Sequence, residues 1–501
     1  MITFITAFVS ACLVSALLTP VITALAHRQG WLDVPTESRK VHRRPVPRLG
    51  GVAVVVAFMT PLLGLLLVGN HASQLLYQDE RLTLGLLLGG IAIVALGVYD
   101  DLKGADARLK LGVQSSVAIL VWALGFRIEL LGNPLGDPFA TGILSLPITW
   151  LWVVGVINAM NLIDGLDGLA SGIALFASGV LFCVALTDNA IVLCLLTASL
   201  GGAILGFLFF NFNPARIFLG DSGSMFLGFL LASISIWAQR KGTTAAALLV
   251  PVLALGLPIL DTSLSFIRRL ARGTSPFKAD RDHVHHRLMD LGLTHRGTVL
   301  TLYATSAVFS MGALALLNDD PLVHVISGTS VGFVVVLLLR RIGVFNSQHQ
   351  AQELETMRQR VRRASRRIRS ADSADEAWNA TQDALRSLGV IDAKLSWDEA
   401  PLSKEVTTTS LLSGSAAHAG SVEFRDVQIF DESGAYGTLS LGVPSRVSRY
   451  RYFEGCLELL SDALAEYGSG ERESLDLEPV PGEVVPLRSN AAAGSDLTLF
   501  G

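Results

Sequence analysis

Charge is scarce in this chain. Of its 501 residues only 16% are Asp, Glu, Lys or Arg, whereas 51% are hydrophobic. A soluble domain is roughly 25% charged. The shortfall, with a mean hydropathy of +0.50, excludes an ordinary soluble enzyme and places much of the chain in lipid. Cysteine is scarcer still. There are four, Cys12, Cys183, Cys194 and Cys456; the first three sit in apolar runs, and no CxxC pair exists. That excludes a disulfide framework and argues against a zinc site. The N-terminus lacks a basic region and a small-residue cleavage site before Pro20. Its apolar run therefore reads as a first membrane span rather than a removed signal.

What is abundant is apolar runs long enough to cross a bilayer, which takes roughly 20 residues per helix. They lie near 3–26, 50–69, 82–99, 111–126, 143–160, 169–187, 190–210, 223–239, 243–267, 298–317 and 322–340. The expected fold is an all-α polytopic membrane protein of about eleven transmembrane helices, carrying a small cytoplasmic α+β domain. Taken alternately, the loops on one side hold seventeen Lys and Arg and those on the other side hold four. Short basic loops stay in the cytoplasm. The reading is thus a multi-pass membrane protein, N-terminus outward and C-terminal third cytoplasmic.

Composition divides the chain into a membrane-embedded domain, 1–345, and three further segments. Residues 346–370 are basic helix formers without Gly or Pro and read as a juxtamembrane helix lying on anionic headgroups. Residues 371–467 mix two helical patterns with alternating segments, as a small α+β domain does. Residues 468–501 are acidic, then rich in Gly, Ala and Ser, and read as a disordered tail.

Four blocks carry chemistry, all on the side assigned to the cytoplasm. The first is Asp100-Asp101, two adjacent carboxylates at the end of a span. They stay ionised together only where cations compensate, as in a general base or a Mg²⁺ pair; a solvated helix end is the plain alternative. The second holds Asn158, Asn161, Asp164 and Asp167 at three-residue spacing, with Gly165 and Gly168 between. Polar side chains at membrane depth usually line a cavity; a loop turned by Asp-Gly pairs is the alternative. The third runs from Asn211 to Ser224, with Asp221 between glycines at the start of a span. A hard carboxylate oxygen suits Mg²⁺, and a helix N-terminus there would face an anion. Helix capping by Asp221 is compatible with both. The fourth is the basic loop 268–297, with His283, His285, His286 and Arg287 in HxHHR. No cysteine or carboxylate pattern completes a zinc site, whereas His⁺ and Arg suit phosphate. A plain positive-inside loop explains the arginines but not the histidines.

These blocks, DDLKG, NAMNLIDGLDGLASG, FNFNPARIFLGDSGS and DRDHVHHRL, resemble the polyprenyl-phosphate N-acetylhexosamine-1-phosphate transferase family, glycosyltransferase family 4. They occur in that family's order, and the resemblance covers about residues 1–345; HRRPVPRLGG (42–51) resembles another of its elements. The histidine block is closer to the undecaprenyl-phosphate N-acetylglucosamine-1-phosphate branch than to the muramoyl-pentapeptide branch. The resemblance implies Asp100 and Asp101 as the catalytic pair and Asp221, with Asp164, at the Mg²⁺ site (Mn²⁺ as the alternative ion). It implies Asn161 and Asp167 near the nucleotide, and Asn211 and Phe218 near the uracil. His283, His285, His286 and Arg287 would face the diphosphate. It also implies the partners: a UDP-N-acetylhexosamine, undecaprenyl phosphate and the bilayer, with no nucleic acid and with homodimerisation left open. The expected reaction is Mg²⁺-dependent transfer of a sugar-1-phosphate to the lipid with release of UMP, initiating a cell-wall or lipopolysaccharide-type glycan. Direct attack with Asp100 as base and a phospho-aspartyl enzyme both remain open. A transporter is the rival from another class, but its polar residues would sit near the bilayer midplane, not at one interface.

Overall fold

The computed structural model describes residues 1–33, 45–68, 74–75, 78–131, 139–241, 249–271, 283–318, 320–341, 347–390, 392–397, 407–410, 422–431, 434–444 and 451–469. Residues 34–44, residues 272–282 (with Arg281 of the fourth block) and the tail beyond Ser469 lie outside the described residues. The chain divides into two compact units, Met1–Gln348 and His349–Gly501.

The first unit is helical. Its helices are α1 (Ile2–Gln29), α2 (Gly50–Val68), α3 (Glu80–Lys103), α4 (Ala107–Ala123), α5 (Ser145–Ile163), α6 (Leu169–Thr187), α7 (Ile191–Asn211) and α8 (Gly220–Lys241). Then come α9 (Leu249–Ala254), α10 (Gly256–Ala271), α11 (Val284–Asp290), α12 (His295–Ala315) and α13 (Pro321–Arg341). Two small antiparallel pairs join them: β1 (Leu32–Asp33) with β2 (Val46–Pro47), and β3 (Leu130–Leu131) with β4 (Phe139–Ala140).

Among the described residues, eight helices are long and apolar enough to cross a membrane: α1, α3, α5 with its preceding turn, α6, α7, α8, α12 and α13. The sequence suggested eleven. The difference lies in three places. In α2 the apolar described stretch is only Gly50–Leu65, and α4 has 17 residues. The run at 243–267 is broken at Leu255 into α9 and α10. Pro258 has no N–H to give to the carbonyl of Ala254, so an α-helix cannot run through unbroken there.

Helix α8 is the axis of this unit; 94% of its membrane window is buried. It packs against α2, α3, α5 and α6. Trp237 meets Phe126 edge-on at 6.0 Å, and Phe226 meets Phe58 at 5.8 Å. Small residues let backbones approach at its N-terminal end: a Cβ on Gly97 of α3 would collide with the Ser222 backbone, and one on Gly51 of α2 with Gly223. This contact draws the end of α3 and the start of α2 onto the first turn of α8.

The second unit contains α14 (Ser347–Arg369, reaching back two residues into the first unit), α15 (Ala374–Ser387) and α16 (Arg451–Ser469). Its strands β5 (Asp392–Trp397), β6 (Thr407–Ser410), β7 (Val422–Asp431) and β8 (Gly434–Pro444) form one antiparallel sheet in the order β6-β5-β8-β7. Its core joins Val361 and Ile368 of α14, Leu385 of α15, Leu439 and Leu441 of β8, and Leu460 and Leu464 of α16. The apolar positions of α14 recur at helical spacing and face this core.

Candidate active site

Asp100 and Asp101 close the last turn of α3, and successive helical residues point about 100° apart. The two carboxylates therefore meet different neighbours. Asp100 Oδ1 accepts from the Ala105 backbone N–H at 2.6 Å, and its Oδ2 is ion-paired to Lys110 on the first turn of α4. Lys110 Nζ also reaches Asp221 Oδ2 at 2.6 Å. Asp101 turns to α8 instead: Oδ1 accepts from the Asp221 N–H at 2.8 Å and Oδ2 from the Ser222 N–H at 3.0 Å. The anion expected at this helix N-terminus is thus the protein's own carboxylate, and the cap of α8 comes from Asp101 rather than Asp221. Gly220 makes this possible. Its φ is +73°, and a Cβ there would stand 2.7 Å from Asp101 Oδ2.

Asn161 and Asp164 approach from the end of α5. Asn161 Nδ2 donates to Ser224 Oγ at 3.0 Å, and Asn158 Nδ2 donates to Gln114 Oε1 at 2.7 Å. Asp164 lies just past the helix. Burial, then the charges of Asp221, Asp101 and Asp167, push its carboxyl well above the usual carboxylate range. Asp100, Asp101, Asp164 and Asp221 hence share one end of the bundle, with Lys110 as the cation bridging two of them.

Asp167 is engaged elsewhere. Its Oδ2 accepts from Asn213 Nδ2 at 2.9 Å and from the Ala215 N–H at 3.0 Å, while its own N–H donates to His295 Nε2 at 3.0 Å. It clamps the 212–219 loop. That loop is also zipped to residues 47–51: Phe218 N–H donates to Pro47 O at 2.8 Å, and Gly50 N–H returns a bond to Phe218 O at 3.0 Å. The ring of Phe218 is half-buried. Asn211 differs from its expected place beside a base. It is 2% exposed; its Oδ1 accepts from Ser171 Oγ at 2.9 Å and its Nδ2 donates to Ile217 O at 3.0 Å. Both ends of the amide hold the loop to α6 and α7.

In the histidine block, His285 departs from a phosphate-binding imidazolium ion. Asp261 of α10 is 2% exposed. It accepts from Val284 N–H at 2.8 Å and pairs with His283 Nδ1 at 3.0 Å, so it caps α11 and orients His283. His285 is 1% exposed, stacked 5.8 Å from His283, and among the described residues neither of its ring nitrogens has a partner. Burial, then the charge of His286, lowers its pKa to about 3. The ring is neutral at physiological pH and lies against Gly165, next to Asp164. His286 and Arg287 remain half-buried on α11.

Lys110, Asp261 and His295 escaped the sequence reading. Lys110 and Asp261 carried a signal. A lysine in the first turn of a helix opposes the helix dipole and implies a nearby anion. A lone aspartate in an apolar run asks for a partner.

Residues 83–239, which span α3 to α8 and hold all four carboxylates and Lys110, match the family model for glycosyl transferase family 4. A probable undecaprenyl-phosphate N-acetylglucosaminyl 1-phosphate transferase of Bacillus subtilis (strain 168) is 36% identical over 317 residues, 63% of this chain and 86% of that protein. The chain belongs to glycosyl transferase family 4. Other relatives of this family member are a decaprenyl-phosphate N-acetylglucosaminephosphotransferase of Mycolicibacterium smegmatis and an undecaprenyl-phosphate alpha-N-acetylglucosaminyl 1-phosphate transferase of Thermotoga maritima. The first is 34% identical over 363 residues, covering 66% of this chain and 86% of that one. The second is 32% identical over 306 residues, covering 60% and 88%. The chain is accordingly a phospho-sugar transferase and a multi-pass membrane protein.

Proposed function

We propose that this enzyme transfers N-acetylglucosamine-1-phosphate from UDP-N-acetylglucosamine to undecaprenyl phosphate, releasing UMP and starting a cell-envelope glycan. One observation carries the reading: four carboxylates and one lysine converge where α3 and α5 end and α4 and α8 begin, at a single bundle face. A lipid-anchored phosphate and a water-soluble nucleotide sugar meet only at such an interface. The loop charges support a cytoplasmic site with the N-terminus outward.

The donor set fits Mg²⁺. The oxygens are hard, and Lys110 offsets part of the charge of Asp100 and Asp221. Among the described residues no three His, Cys, Asp or Glu are grouped so as to hold a metal ion; a Mg²⁺ here would rest on one or two carboxylates together with substrate phosphates and water. Asp221 and Asp164 would hold it, with Asp100 alongside; bound there, it would neutralise charge on the transferred phosphoryl group. Lys110 holds Asp100 and Asp221 in register. Asp101 fixes α8 so that Asp221 faces them. Asp100 takes the proton from any lipid phosphate that arrives protonated. A lipid phosphate oxygen then attacks the phosphorus bearing the sugar, the bridging P–O bond breaks, and UMP departs with the bridging oxygen. Positioning two anions and offsetting their repulsion is the main task. The half-buried Phe218 is the candidate platform for the uracil, with Arg287 and His286 as donors towards the diphosphate.

The test is incubation of the purified protein with undecaprenyl phosphate, Mg²⁺ and a panel of UDP-sugars, followed by mass analysis of the lipid. A gain of one N-acetylhexosamine phosphate, with UMP release, is expected for UDP-N-acetylglucosamine. Failure to release UMP from every UDP-N-acetylhexosamine overturns the proposal.

A further inference from the structure

The second unit carries a charged groove that the transfer reaction does not use. It lies between α14 and α15, with a volume of about 420 Å³, and is lined by Arg360, Arg363 and Arg367 on one wall and Asp383 and Ser387 on the other. The three arginines follow helical spacing, so they form one row. Arg362 and Arg366 are exposed beside them. Asp383 offsets part of the charge through Arg367 at 3.4 Å and Arg386 at 3.6 Å. Both contacts are solvent-exposed, and such pairs are weak. Among the described residues no carboxylate pairs with Arg360 or Arg363.

The opposite face of α14 settles how this helix meets a partner. Val361, Ala364 and Ile368 are buried in the core of the second unit, and Ser365 Oγ donates to Leu459 O of α16 at 3.2 Å. The apolar stripe is therefore not available to insert among acyl chains, as it does in an interfacial amphipathic helix. Only the guanidinium face is offered. Five residues of chain separate the end of the last candidate span, Arg341, from Ser347. A row of forks extending over about two helical turns, ~10 Å, matches an array of phosphates better than a single ion, and guanidinium pairs with phosphate oxygens two at a time.

We propose that the α14–α15 groove binds the phosphate headgroups of anionic phospholipids. The second unit is held on the membrane surface through arginine, without insertion. Its partner is a phosphatidylglycerol-type surface, and the contact is electrostatic and salt-sensitive.

The experiment is hydrogen–deuterium exchange on the full chain in nanodiscs of phosphatidylcholine alone or with phosphatidylglycerol. Exchange across residues 356–369 and 383–387 is expected to slow by roughly tenfold in the anionic discs, since each basic residue near such a surface gains affinity. High salt removes the effect. The triple variant Arg360→Gln, Arg363→Gln, Arg367→Gln loses it, and the corresponding triple Lys variant keeps most of it. Exchange in β5 and β8 reports whether either variant has kept its fold; if not, the two disc compositions with the unaltered chain decide alone. Equal exchange in both discs overturns the proposal. So does equal protection in neutral discs by inorganic phosphate or by a soluble polyanion, which would assign the groove to a free ligand.

Discussion

Replacing Asp101 by Asn separates holding the site from working in it. The wild-type carboxylate accepts two backbone N–H groups of α8, at 2.8 and 3.0 Å. Asn supplies one oxygen, and its NH₂ then opposes the second N–H. One hydrogen bond to a charged group is lost, ~1.5–3 kcal/mol, along with a negative charge at the positive end of α8, ~0.3–1 kcal/mol. The expected loss of stability is about 2–4 kcal/mol. Because these bonds fix Asp221 relative to Asp100 and Lys110, a displacement near 1 Å lowers turnover by about 10²-fold. Asp100→Asn should behave differently: the amide still accepts from Ala105 N–H, so stability changes less while turnover falls further. The assays are thermal unfolding in detergent and UMP release at saturating UDP-N-acetylglucosamine. An Asp101→Asn protein with wild-type thermal stability and no turnover would refute the reasoning, because the carboxylate would then act on the substrate.

Asp221→Asn should abolish Mg²⁺-dependent turnover in a folded protein; retained UMP release would leave that residue a structural role only. Mg²⁺ should raise the thermal midpoint of the wild type but not of Asp164→Asn, and equal shifts would remove Asp164 from the metal. Asn211→Ala leaves Ile217 O and Ser171 Oγ without partners, so the protein should lose ~2–3 kcal/mol while uridine nucleotide affinity changes little in the folded fraction; isothermal titration checks this. The His285 ring has a folded pKa of about 3 against an ordinary 6.5. The unfolded chain therefore takes up a proton that the folded one refuses, and stability present above pH 6.5 is lost as pH falls towards 3. By pH 4.5 this amounts to about 2–3 kcal/mol, so thermal midpoints of wild type and His285→Gln should converge on acidification; parallel curves would contradict a buried neutral imidazole. Truncation after Phe345 should keep sugar-phosphate transfer within a thousandfold, or ~4 kcal/mol; a larger loss in a folded truncation would mean that the tail helps build the site.

Much of this was legible in the sequence, for identifiable reasons. Runs such as 190–210 and 223–239 are apolar on every side, and only a buried or membrane helix satisfies that pattern. Asp100, Asp164 and Asp221 stood out because carboxylates are rare at membrane depth. The division of labour between them did not. Spacing along a helix says that Asp100 and Asp101 diverge but not which neighbour each meets, because Lys110 and the α8 N-terminus arrive from elsewhere in the chain. Asn211 misled for a related reason: an amide next to a polar motif reads as a ligand contact until its two partners, Ser171 and Ile217, are known. His285 misled through charge, since an HxHH run among arginines suggests imidazolium, and only burial against Gly165 makes this ring neutral. The break at Leu255 was written in Pro251 and Pro258, but membrane helices tolerate proline often enough that the residues alone do not decide.

The helix dipoles explain why this arrangement of acids is poised for a cation. Asp100 and Asp101 lie in the last turn of α3 and Asp164 at the C-terminal cap of α5, where negative charge is disfavoured. Asp101 escapes by reaching the positive N-terminus of α8, and Asp100 by pairing with Lys110, which it shares with Asp221. Asp164 gains neither, and among the described residues no basic group is paired with it. The fold therefore compensates its carboxylates one by one until a single uncompensated carboxyl is left, Asp164, which resists ionising, beside Asp221 and at the bundle face where a nucleotide diphosphate would arrive. A diphosphate brings further negative charge, so it binds there favourably only with a cation that both it and the carboxylates can share. On this reasoning metal and nucleotide sugar bind together: each should raise the affinity for the other by the same factor. Independent binding of Mg²⁺ and UDP-N-acetylglucosamine, measured by titration of one at fixed levels of the other, would break the argument.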